Sequence, residues 1–133
     1  MRKYRVISET SPSDPPKDFE MRAAIILANY LRKDLIFQRP GHRRSPDLRE
    51  KGSTITWELK SPTGDGKKTI DNNLRSAKGQ SKRIVLDLTR CKMHQTKVIS
   101  RVRYYTKVGN HQIERLLILT KARRVIDFFK DIQ

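Results

Sequence analysis

The chain has 133 residues, the size of one domain, and its 30 Lys and Arg against 14 Asp and Glu give a formal net charge of +16, a surplus that points to a polyanionic partner, nucleic acid above all. A single cysteine, Cys91, excludes an internal disulfide framework and a cysteine-built zinc site. No apolar stretch approaches the roughly 18 residues of a membrane span and the N-terminus lacks the apolar core of a signal peptide, so the sequence reads as soluble and basic with no membrane anchor.

Arg2 to Ile7 alternates enough for a short strand, yet its basic character suits a loose arm equally well. The Pro-rich stretch Ser11 to Lys17 separates residues 1–17, read as a basic N-terminal arm, from a single domain over 18–133. Asp18 is placed to cap an amphipathic helix over Phe19 to Arg32, with Ala23, Ile26, Leu27, Tyr30 and Leu31 on one face. Short strands follow over Asp34 to Gln38 and Ser45 to Arg49, separated by Pro40-Gly41 and a basic loop and followed by a turn at Lys51-Gly52. Ser53 to Lys60 is the clearest strand, with Ile55, Trp57 and Leu59 on one face and Thr54, Thr56, Glu58 and Lys60 on the other. Beyond the polar loop Ser61 to Lys68, Thr69 is placed to cap a helix to about Gly79 that buries Ile70, Leu74 and Ala77. Arg83 to Leu88 and Arg115 to Thr120 are apolar runs of central strands, joined by a basic helix over Met93 to Lys107 with Val98, Ile99, Val102 and Tyr105 inward. Arg124 to Phe129 completes a hairpin. The order predicts an α/β (α+β) fold: a mixed β-sheet flanked by helices, an α-β-β-β-α-β core plus a C-terminal helix and hairpin.

Pro46-Asp47, a ten-residue gap and Glu58-Leu59-Lys60 place two carboxylates on neighbouring strands, with a lysine on the same face as the second. Such a pair can hold a divalent metal, Mg²⁺ being the expected ion, while the lysine orients water or stabilises charge on a phosphate. Phosphodiester hydrolysis needs that combination. The plain alternative is a solvated ion pair on an exposed strand beside a turn.

The strand and helix order around this motif resembles the PD-(D/E)XK nuclease core. On that resemblance Asp47 and Glu58 are catalytic metal ligands and Lys60 is the catalytic lysine, while Glu20 matches an auxiliary acid and Gln80 a polar site position. The blocks Trp57 to Gly64, Ile70 to Ser81 and Ile84 to Leu88 are more specifically similar to the C-terminal tRNase domains of contact-dependent growth-inhibition toxins. That resemblance covers Ser45 to Leu88 and implies a bacterial toxin ribonuclease that cuts tRNA in the cytoplasm, delivered as part of a larger toxin and neutralised by an immunity protein. The start at Met1, with no long delivery region, suggests an excised domain or a stand-alone relative. The same neighbourhood includes metal-independent RNases of the barnase, colicin and RelE type. There Glu58 and Lys60 would act without a metal, Lys60, Arg75 and Thr120 would surround the phosphate, and an RNA 2′-hydroxyl would attack. A third reading is a non-catalytic nucleic-acid-binding module.

Arg43, Arg44, Lys67, Lys68, Arg75 and Gln80 are the candidates for substrate binding, Arg75 as the best phosphate clamp and Lys67 and Lys68 as a basic rim. His42 is a lesser candidate for a general acid. The basic clusters lie at strand ends, as a groove tracking a phosphate backbone requires, and the surplus of charge calls for an acidic inhibitor.

Overall fold

The computed structural model describes residues 3–38, 46–108 and 111–132. Seven strands run in chain order across one sheet: β1 (Val6–Ser8), β2 (Leu35–Phe37), β3 (Leu48–Glu50), β4 (Thr56–Lys60), β5 (Arg83–Asp87), β6 (Arg115–Leu119) and β7 (Val125–Asp127). β1 pairs parallel with β2, β3 is antiparallel to both its neighbours, β4, β5 and β6 are parallel, and β7 returns antiparallel. The helices are α1 (Asp18–Leu31), α2 (Thr69–Lys78), α3 (Gln95–Val108) and the short α4 (Phe128–Asp131). The expected mixed sheet with flanking helices is therefore the architecture observed.

Two cores form because β5 and β6 bury side chains on both faces. Val85, Leu117 and Leu119 pack toward α1 with Ala23, Ala24, Leu27, Phe37, Trp57 and Leu59. Ile84, Leu86, Leu116 and Ile118 pack toward α2 and α3 with Ile70, Leu74, Ala77, Val98 and Val102. The apolar stripe of α2 is fully buried, whereas α1 buries Leu27 together with the small residues Ala23, Ala24 and Ala28, and Tyr30 stays exposed. Small residues let that helix lie close on the sheet.

Several local details depart from the sequence reading. Of the two readings of the N-terminal stretch the strand is the one observed: Val6–Ser8 is an edge strand paired with Leu35–Phe37. Asp18 and Thr69 are the first helical residues rather than caps; at α1 the Lys17 N–H donates to Glu20 Oε1 at 2.9 Å, closing the helix start. α1 ends one residue early because Arg32 takes the left-handed conformation (φ 57°) and returns its N–H to the Ala28 carbonyl. The last strand stops at Asp127, where Asp131 Oδ2 accepts the Asp127 N–H at 2.9 Å and starts α4, putting Phe128 into the core.

Candidate active site

The strand faces decide what meets here. Trp57 and Leu59 go to the α1 side, so Glu58 and Lys60 stand on the opposite face, that of α2 and α3. Leu48 pairs with Trp57, which brings Asp47, one residue before β3, opposite Glu58. The two acids then grip each other's strands. Glu58 Oε1 accepts the Asp47 N–H at 3.1 Å, and Asp47 Oδ2 accepts the Leu59 N–H at 3.2 Å. Lys60 Nζ lies 3.4 Å from Glu58 Oε2. Glu58 is 2% exposed, Asp47 is half-buried, and the Lys60 side chain keeps 22% of its surface open. The solvent approach to the cluster is therefore at Lys60 and Asp47.

Burial pushes the Glu58 carboxyl up to about 8, and the neighbouring Asp47 charge adds to that rise. Lys60 and the Asp47 N–H oppose it. The ion pair and the raised pKa pull in opposite directions, and desolvation wins because the carboxyl is so deeply covered. Two carboxylates held against each other form an all-oxygen donor set suited to a hard cation. Among the described residues no set of three or more His, Cys, Asp and Glu side chains converges. A cation here would complete its shell with water and substrate oxygens, as Mg²⁺ commonly does. On those grounds the donor set fits one.

The other sequence candidates divide. Arg43, Arg44 and His42 lie outside the described residues. Lys67 and Lys68 are exposed on the loop that leaves β4 after Lys60, directly before α2. Arg75 is exposed and donates to Asn72 Oδ1, three residues back, at 3.1 Å. Gln80 lies just past α2, with its Oε1 buried and, among the described residues, without a hydrogen-bond partner. The adjacent Ser81 Oγ donates to the Thr56 carbonyl at the start of β4, so Gln80 belongs to the other end of that strand from Lys60. Thr120 Oγ1 accepts the Arg124 N–H at 3.1 Å and shapes the β6–β7 turn. It sits two strands from β4, about 10 Å across the sheet. Glu20 is engaged at the start of α1, the helix on the opposite sheet face. Asp71 ties α2 to α3 through Arg101 at 2.8 Å. His111 Nδ1 accepts the Ile113 N–H, and its ring stacks on Phe129.

Sequence reasoning missed two residues that flank Asp47. Arg49 follows Asp47 by two on the same face, and its Nε lies 3.4 Å from Gln38 Oε1. The Gln38 N–H in turn donates to the Asp47 carbonyl at 2.8 Å. The period of two from Asp47 could have found Arg49. Gln38 needed the β2–β3 register.

A mixed sheet whose neighbouring strands gather an Asp–Glu–Lys cluster on one face defines an α/β domain with a compact charged site. The family model of the contact-dependent growth inhibition CdiA C-terminal domain matches residues 43–125, and the chain belongs to that family. A solved CdiA-CT/CdiI toxin and immunity complex from Burkholderia pseudomallei has the same fold: TM-score 0.63 at 16% identity, over 92% of this chain and 96% of that one. The curated proteins gave no match.

Proposed function

We propose that this CdiA C-terminal domain is a toxin ribonuclease that hydrolyses phosphodiester bonds of tRNA, with Asp47 and Glu58 as ligands of a divalent metal and Lys60 as the charge-stabilising lysine. The observation that carries the reading is the Asp47–Glu58–Lys60 cluster, locked by reciprocal backbone bonds on two adjacent strands. A divalent cation held by the two carboxylates would supply positive charge beside the scissile phosphate. Lys60 extends from the cluster toward solvent, where its ammonium can pair with a phosphate oxygen as negative charge accumulates. Lys67 and Lys68, exposed on the loop that follows Lys60, add positive charge to the surface after β4. The choice of tRNA rests on the similarity of the Trp57–Leu88 block to tRNase domains of growth-inhibition toxins. Membership of that family also supports delivery into a target cell, and the Burkholderia toxin and immunity complex supports an immunity protein as partner.

One observation favours a second reading. With its carboxyl pushed up to about 8, Glu58 is protonated at neutral pH in the metal-free protein and could serve as a general acid, while an RNA 2′-hydroxyl attacks. One experiment separates these: total tRNA and plasmid DNA are incubated with the protein, with Mg²⁺ or with EDTA. Cleavage of tRNA that stops with EDTA is the expected result. Cleavage that survives chelation selects the metal-free reading, and no cleavage in any arm defeats both. Glu58→Gln and Lys60→Ala are each expected to lower the rate at least about a hundredfold while the protein stays folded, as a cooperative thermal melt shows. Activity retained in both variants would remove the cluster from catalysis.

A further inference from the structure

Beyond the cluster lies a second cationic feature on the same side of the sheet. β5 ends at Asp87, and the chain runs through Cys91 and Met93 into α3. There an open cleft of about 600 Å³ forms between the 61–68 loop and the first turns of α3. Its lining includes Lys92, His94, Thr96, Lys97 and Ser100 against one acid, Asp65. The five named donors are half-open or open to solvent, whereas Met93, the apolar member of the lining, is 5% exposed and forms part of the core. The walls are fastened to each other. Cys91 Sγ lies 3.5 Å from the Gly64 carbonyl, and the Lys92 N–H donates to the Thr63 carbonyl at 3.3 Å.

We propose that this cleft is a second phosphodiester-backbone site, holding the RNA strand on the far side of the 61–68 loop from Glu58 and Lys60; it rests on the nuclease reading for the identity of the polynucleotide. Two ammonium groups, an imidazole and two hydroxyls offer donors to phosphate oxygens, and nothing in the lining reads a base. An interface for a protein would present an apolar or aromatic anchor, and the one apolar side chain here is buried in the core. The loop that contributes Asp65 to the cleft leaves β4 directly after Lys60 and carries the exposed Lys67 and Lys68, so one short segment joins the cluster to the cleft. Two separated phosphate contacts would fix the register of a long RNA without sequence readout.

The test uses the full chain carrying Glu58→Gln, so that the RNA stays intact, and measures binding of fluorescent tRNA by anisotropy over a salt series. Lys92→Ala with Lys97→Ala is expected to weaken binding roughly tenfold at physiological salt and to make the log–log salt slope shallower by about 1.4–1.8, the loss of two phosphate contacts. Lys92→Arg with Lys97→Arg, which keeps the charges, is expected to restore both values. Both positions are exposed, and an unchanged thermal melt shows that the fold is kept. An unchanged affinity and slope overturns the proposal, as does a double variant that binds tRNA normally but loses its protein inhibitor. With wild-type Glu58, cleavage of tRNA combined with cleft-independent binding sinks the cleft alone. Cleft-dependent tRNA binding without any cleavage leaves the cleft standing and sinks the nuclease reading.

Discussion

Glu58 ties the stability of the domain to pH. Its carboxyl is raised from an ordinary value of 4.5 to about 8 by burial first and the Asp47 charge second. A raised folded pKa means that the contribution is fully present below about 4.5 and is lost as pH climbs through about 8. Unfolding free energy is therefore expected to fall across that window, by an amount on the order of a few kcal/mol. Glu58→Gln should flatten the decline, and Mg²⁺ should restore stability to the wild type but not to the variant. Urea melts from pH 4 to 9 check this, and a wild-type profile as flat as the variant's would refute it. The spacing Asp47, Glu58, Lys60 was legible because a period of two fixes which side chains share a face. The partners of Arg75 and Thr120 were not legible, since each depends on a local turn or helix contact that spacing does not encode.

At the scale of elements, continuous apolar runs marked β5 and β6 well, because a strand covered on both faces has no polar alternation to lose. The stripe Ile70, Leu74, Ala77 likewise announced α2. Ends and edges were harder to read. β1 has only three residues, and its place depends on the parallel ladder to β2, a long-range pairing closed through α1. α4 is four residues long, too short to show a helical period, and it starts because Asp131 reaches back to the Asp127 N–H. The end of α1 has no glycine to announce it: Arg32 carries the left-handed turn itself. Left-handed backbone costs a side-chain-bearing residue about 1–2 kcal/mol, partly offset by the entropy glycine loses on folding. Arg32→Gly is accordingly expected to stabilise the domain by about 0.5–1 kcal/mol. The exposed site and small change make a denaturant midpoint at constant m-value the appropriate measurement, and a destabilised variant would contradict the cap geometry.

For the whole molecule, the net charge of +16 is only partly taken up inside the fold. Arg83 pairs with Glu114 at 3.0 Å, Arg101 with Asp71 at 2.8 Å, and Arg115 with Asp127 at 2.9 Å. Those three cations stitch elements together and are poor candidates for a partner. Arg90 is held differently, with its guanidinium 3.8 Å from the centre of the Phe19 ring, fastening the loop after β5 to the start of α1. Lys67 and Lys68, by contrast, stand exposed where the β4 exit meets α2, beside the approach to Lys60. A protein that shuts this centre must cover a surface dominated by positive charge, so an acidic inhibitor is the complementary choice. Steering by clustered charge acts over roughly a Debye length, ~8 Å at physiological ionic strength, and raises the association rate more than it slows dissociation. Lys67→Glu with Lys68→Glu is therefore expected to slow association of the cognate immunity protein about tenfold and to flatten its salt dependence, with little change in dissociation or in melting temperature. Stopped-flow association at several salt concentrations reads both quantities. An association rate indifferent to salt in the wild type would refute the acidic inhibitor while leaving the Asp47–Glu58–Lys60 centre intact, because that centre is held by backbone bonds within the sheet and not by the charge on its rim.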